Sequence, residues 1–236
     1  MPSRIRPPLL NNLVVDRHGG AQQTVVTELR RLILNGDAPP GSSVPLADLA
    51  DLFGVSHIPV REALKTLMGE GLVTHRPNAG YAVAQLTVQE LYEMYIVRES
   101  LEMAAQSHAV VNATENDQKV AKDANERMRQ AIRKGDAAAF SRESRNFHFA
   151  LARPSGMARL LQMLEVTWNI IEPAQPMVHV APDDHARLNA DHDEMLEAFL
   201  ARDAARLRAV SERHAHSLND VIVGLPTDTG LLARGD

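Results

Sequence analysis

Cysteine is absent from the 236 residues. Disulfides, thiolate zinc sites, iron–sulfur clusters and thiol catalysis are thereby excluded together, and any metal must sit on His and carboxylates. No stretch approaches the ~20 apolar residues that span a bilayer. The start, MPSRIRPPLLNNLVV, carries two Arg, but Pro7, Pro8, Asn11 and Asn12 interrupt its apolar run. It lacks the continuous core of a signal peptide, so the cytoplasm is the expected location. A Gly-x-Ser-x-Gly elbow, a phosphate loop and a dinucleotide fingerprint are also missing, which removes the commonest readable enzyme signatures.

What is present suits two domains of ordinary size, since one domain runs to roughly 100–150 residues. Hydrophobic residues make up 44% and charged residues 23%, the balance of a globular chain. The net charge of −5 is unevenly placed. Residues 1–85 hold eight Arg and Lys against seven Asp and Glu, so the whole acidic excess lies beyond them. That asymmetry points to two jobs. The near-neutral first part is weak evidence for nucleic-acid binding, because phosphate contacts depend on where cations sit rather than on their sum.

Val25, Val26, Leu29, Leu32 and Ile33 repeat at helical spacing between Thr24 and Leu34, and Asn35-Gly36 stops the pattern. After the turn at Pro39-Pro40-Gly41, Leu46, Leu49, Ala50 and Phe53 mark a second short helix ended by Gly54. Ser56 is placed to cap a third helix, with Pro59 in its first turn and Val60, Ala63, Leu64, Leu67 and Met68 as its buried stripe. Two helices joined by Phe53-Gly54-Val55 make a helix-turn-helix, whose second helix fits the major groove of DNA. Two alternating runs, Leu72-Val73-Thr74 and Tyr81-Ala82-Val83-Ala84, flank His75–Gly80 and predict a β-hairpin wing.

The stretch LADLFGVSHIPVREALKTLMGEGLVTHRPNAGYAVAQL resembles the DNA-binding domain of the GntR regulators. The resemblance implies that Ser56, His57 and Arg61 lie on operator DNA, with Arg76 and Gly80 in the wing. It also shows departures: positions 57 and 58, usually Arg and Thr, are His and Ile, and the Arg often found at position 47 is Ala. Arg forks onto guanine whereas His makes at most one such bond, so the resemblance implies an operator preference unlike the common one.

Thr87-Val88-Gln89-Glu90 is a capping-box pattern that opens a long helix through about Val111. Further helix starts at Thr114–Asp117 and Asp136, the stops at Gly135, Pro154-Ser155-Gly156 and Pro173, and segments near 184–201 and 203–223 predict an all-α bundle of six or seven helices. The expected division is an N-terminal arm at 1–20, flexible; a winged helix-turn-helix at 21–85; an all-α domain at 86–225; and a tail at 226–236.

Ten His is an excess, and seven lie beyond residue 85. His148, His192 and His214 each fall in the middle of a separate predicted helix. Imidazoles from several helices can meet at one divalent metal, although spacing alone equally allows three unrelated core or surface residues. LYEMYIVRESLEMAA, NFHFAL, ADHDEMLEAF and SERHAHSL resemble, in order and spacing, the FCD-type effector domain of the FadR subfamily of GntR regulators. That resemblance implies a metal, such as Zn, Ni or Mn, on His148, His192 and His214. The family's fourth ligand is an Asp four residues before the first His; here it is Ser144. A weakened site, one completed by water or effector, and one without metal remain open.

The resemblance further implies that Arg98 grips the carboxylate of an organic-acid effector; Asn169 and Trp168 are candidates to line the same cavity, although a lone Trp is more often core. A forked, permanent cation suits that task, but Glu102 at i+4 also offers Arg98 an intrahelical partner. The function expected is a homodimeric transcription regulator bound to double-stranded operator DNA and controlled by a small carboxylate. The alternative is a metal-dependent helical-bundle enzyme on the same His cluster. Di-iron bundles use Glu-x-x-His pairs, and the residues three before these His are Arg145, Asn189 and Ser211.

Overall fold

The computed structural model describes residues 8–11, 13, 20–174 and 176–224. By packing the chain divides into two compact units. Among the described residues, the first is built on those through Thr87 together with Asn169–Ala174, and the second on Val88–Trp168 together with residues 176–224.

In the first unit, α1 (Ala21–Leu34), α2 (Leu46–Phe53) and α3 (His57–Gly69) pack beside a small antiparallel sheet of β1 (Ser43–Val44), β2 (Val73–Arg76) and β3 (Gly80–Val83) in the order β1-β3-β2. Helix α1 starts three residues before the periodic pattern, with Gly20 at its N-cap. Leu29, Leu32, Ile33, Leu49, Val60, Leu64, Leu67 and Leu72 are fully buried in the shared core. Leu9, in a 3-10 turn at Pro8–Asn11, joins that core and is itself fully buried. This part of the expected flexible arm is therefore packed; the rest of residues 1–20, apart from Leu13 and Gly20, and the tail at 226–236 lie outside the described residues. Met68, expected in the buried stripe, is 39% exposed because α3 turns its buried face at Val60, Ala63, Leu64 and Leu67 only.

The turn between α2 and α3 rests on Gly54 at φ 65°, a left-handed position that a side chain would strain. In the wing, β2 runs two residues further than the alternation indicates and pairs Arg76 with Gly80. Pro77 and Asn78 close the turn, with the Ala79 N–H donating to the Arg76 carbonyl and Asn78 at φ 63°, the pattern of a type II turn.

The second unit is all-α among the described residues: α4 (Val88–Asn112), α5 (Glu115–Lys134), α6 (Ala137–Ala152), α7 (Ala158–Ile171), α8 (Pro182–Leu200) and α9 (Ala204–Val223), with short 3-10 links. Helix α5 packs on α6 and α8, and α4 packs on α6 and α9, with α8 against α9. The starts are chemically explicit. Thr114 and Asp117 form a reciprocal capping box on α5, and Asp136 and Asp203 accept from the N–H groups of Ala139 and Arg206 on α6 and α9. No helix of the described residues is long and apolar enough to cross a membrane.

Ser56 occupies the N-cap of α3 as expected, yet its side chain makes no capping bond. Thr114→Ala should therefore lower stability by about 1 kcal/mol, whereas Ser56→Ala should stay within about 0.5 kcal/mol of wild type. Urea titration followed by circular dichroism checks both; an equal loss in Ser56→Ala would show that its hydroxyl holds the helix after all.

Candidate functional site

The two units present different chemistry. On the first, Ser56, His57, Arg61 and Arg76 are exposed, and none of their side chains has a hydrogen-bond or ion-pair partner among the described residues. The buried stripe of α3 fixes its rotation, so His57 and Arg61, four residues apart, share the outer face. Nothing stands within 4 Å of where a Cβ on Gly80 would lie, so a backbone could approach the wing there.

On the second unit three helices converge. His148 on α6, His192 on α8 and His214 on α9 are buried to 1%, 1% and 4% exposure. One nitrogen of each lies within 4.8 Å of the others, and among the described residues this is the group whose geometry could hold a metal. His148 Nε2 and His192 Nε2 are already 3.2 Å apart. On an ion at ~2.0–2.1 Å, tetrahedral nitrogens sit roughly 3.3 Å apart, so the set fits a metal with a small inward movement of the third ring.

Carboxylates stand behind the imidazoles. Glu102 Oε2 lies 3.0 Å from His148 Nδ1, and Asp191 Oδ2 lies 3.6 Å from His214 Nδ1. A carboxylate hydrogen-bonded at Nδ1 would keep the proton there and leave Nε2 free for a metal, but the Nδ1 atoms of His148, His192 and His214 are all buried with no partner in hydrogen-bond geometry. Neither carboxylate role was read from the sequence: Glu102 entered only as a partner for Arg98, and Asp191 faces His214 on the next helix rather than its neighbour His192. Ser144 is half-buried one turn before His148 and makes no described hydrogen bond.

Arg98 and Glu102 do form an i,i+4 pair, with Nε–Oε1 at 3.6 Å, but a buried one rather than a surface pair. The guanidinium lies 4.5 Å from the Tyr95 ring centroid and 4.6 Å from that of Trp168, whose indole N–H donates to Glu102 Oε1 at 3.1 Å. Burial pushes the Glu102 carboxyl up, but the charges of His148 and Arg98 outweigh it and hold the pKa at about 2. Arg98, Glu102, His148, Ser211 and His214 line one cavity of about 10 Å³, room for a single water-sized sphere. Asn169 is buried at the end of α7, groups with the first unit and does not line this cavity.

Burial is the first cause that holds His192 well below, and His214 below, the ordinary imidazole value. Under acid, below about 6.5, the unfolded chain takes up protons that the folded chain refuses, so stability falls with pH. Above that value both states are neutral at these residues and the effect vanishes. Glu102 acts in the same direction, its stabilisation being present above the ordinary value of 4.5 and lost as pH falls toward about 2. The thermal midpoint of the chelator-treated protein should be flat from pH 7 to 8 and decline below about pH 6.5; a midpoint that rises on acidification to pH 5.5 would contradict this arrangement.

Residues 21–83 match the family model of the bacterial regulatory proteins of the gntR family, and residues 93–217 match the FCD domain. The transcriptional regulator McbR of Escherichia coli is 28% identical over 79% of this chain and 86% of its own. The gluconate operon transcriptional repressor of Bacillus subtilis is 26% identical, over 89% of this chain and 88% of its own. The solved structure of E. coli McbR/YncC superposes with a TM-score of 0.74 at 25% identity, covering 87% of this chain and 98% of that one. A regulator from Rhodococcus shares the fold with a TM-score of 0.76 at 22% identity, over 86% and 97% of the two chains. These relatives are regulators of transcription rather than enzymes, and the chain belongs to the GntR family, a DNA-binding transcription regulator whose helical unit is an FCD domain.

Proposed function

We propose that this regulator binds a palindromic operator as a cytoplasmic homodimer and that a small carboxylate in the helical unit sets its affinity for DNA. Ser56, His57 and Arg61 on α3 contact the major groove, and Arg76 and Gly80 in the wing contact the backbone. His148, His192 and His214 hold a divalent metal such as Zn, Ni or Mn, which supplies a Lewis-acid contact for the effector's carboxylate. The observation that carries this reading is the meeting of three buried imidazoles from three helices, two of which, His148 and His214, line one cavity with the permanent cation of Arg98.

The cavity has no room for an organic acid while Arg98 is paired with Glu102. An incoming carboxylate replaces Glu102 as the partner of Arg98, and the bundle must open to admit it. Such a ligand binds the opened arrangement better than the closed one, which is the differential affinity that a regulatory ligand needs. With Ser144 in place of an acidic ligand, the protein supplies three neutral donors and leaves more of the ion's positive charge for the effector.

Arg61→Ala should weaken binding to an operator selected from random DNA by tenfold or more, on the order of 1–3 kcal/mol, with unchanged thermal stability. Elemental analysis should find near-stoichiometric metal in wild type and none in His148→Ala, and Ser144→Asp should hold its metal more tightly against a chelator. His148→Ala should keep its operator affinity while losing the response to carboxylates in fluorescence anisotropy. Loss of metal and DNA binding together in that variant would contradict the division of labour.

A further inference from the structure

The outer face of α3 carries His57, Arg61, Glu62 and Lys65, all polar, and two large exposed apolar side chains, Ile58 in the first turn and Met68 in the last. Ile58 is 73% exposed, the highest value among the exposed large hydrophobic residues described. It stands in the first turn of the helix, beside His57 and Arg61 on the outer face, away from the buried stripe of Val60, Ala63, Leu64 and Leu67. Lys65 and Glu62 are paired with each other at 2.9 Å, which leaves His57 and Arg61 as the free polar neighbours of Ile58. An isolated isoleucine in a polar, partly cationic surface gains nothing from its own fold. It gains when something apolar covers it, and the cationic neighbours suit a surface that also carries phosphate.

We infer that Ile58 is a specificity residue of the regulator and reads the C5 methyl group of a thymine in each operator half-site. The inference rests on the reading of α3 as the helix that enters the major groove. Of the bases exposed there, thymine alone presents a methyl group; adenine, guanine and cytosine present only hydrogen-bonding edges. Isoleucine has no donor or acceptor to offer such an edge. Its contact therefore discriminates thymine from cytosine by the methyl alone, while Arg61 and His57, both on one side of it around the helix, supply polar contacts.

The test uses the full-length chain and DNA duplexes enriched by it from a random pool. Each thymine of the enriched half-site is replaced in turn by deoxyuridine, which keeps the pairing and removes only the methyl, and affinities are measured for wild type, Ile58→Ala and Arg61→Ala. One thymine position is expected at which the replacement weakens wild-type binding about fourfold per half-site, the worth of one buried methyl, while Ile58→Ala binds the thymine and uridine duplexes equally. Ile58→Ala should match wild type in thermal midpoint, since the side chain is exposed. If every uridine replacement affects wild type and Ile58→Ala alike while Arg61→Ala still weakens binding, Ile58 reads no methyl and only this inference falls. If no sequence is enriched, or Arg61→Ala binds as wild type does, the placement of α3 on DNA falls and takes this inference with it.

Discussion

A carboxylate stays ionised inside a helical bundle only if other groups replace the water it has lost. Glu102 does so by facing three partners at once: the Arg98 guanidinium one turn before it, the Trp168 indole N–H, and His148. The rest of the helical unit's chemistry depends on that anion. It stands 3.0 Å from His148 Nδ1, whose Nε2 faces His192, and pairs with Arg98, which lies over the Tyr95 and Trp168 rings. Asp191 plays the matching part behind His214 and is itself held by Arg213 at 2.8 Å. Burial holds His192 and His214 below the ordinary imidazole value, and neutral imidazoles are metal ligands. On the proposed function, the Arg98–Glu102 pair is what an incoming carboxylate would have to compete with.

The two units solve opposite problems. The helical unit buries its polar groups and must satisfy them internally, which yields shifted ionisation and a tight cavity. The winged helix-turn-helix leaves its polar groups outside and unpaired, at Ser56, His57, Arg61 and Arg76. Groups with no partner in their own fold are free to take one from DNA, and the absence of a capping bond at Ser56 belongs to the same pattern. The near-neutral charge of the first 85 residues is no obstacle, because its acids are partly consumed by internal pairs such as Arg30–Glu70 and Lys65–Glu62.

The helices were readable in the sequence where a local signal exists: glycine stops at 54 and 135, caps at Thr114, Asp136 and Asp203, and apolar periodicity in α1 and α3. The periodic pattern overreached at Met68, where the last turn of α3 passes beyond the core it packs on, and it placed part of Leu9's segment in a flexible arm because a single buried leucine carries no period. The three His were singled out by a resemblance, since nothing in their spacing states that three helices converge. Glu102 and Asp191 could not be found that way. Their partners lie 46 and 23 residues along the chain, and only the packing of α4 on α6 and of α8 on α9 brings them together. Neither Asn169 nor its neighbour Trp168 lines the cavity that Arg98, His148 and His214 share.

The central claim is that the buried imidazole cluster is one metal centre with three protein nitrogens. X-ray absorption at the zinc edge of the full-length protein, reconstituted with one equivalent of Zn(II), tests it most directly. The account predicts three imidazole nitrogens at ~2.0–2.1 Å with a lighter oxygen donor completing the shell, and the loss of one imidazole contribution in His192→Ala. A spectrum with at most one imidazole, or one that His192→Ala leaves unchanged, would contradict it.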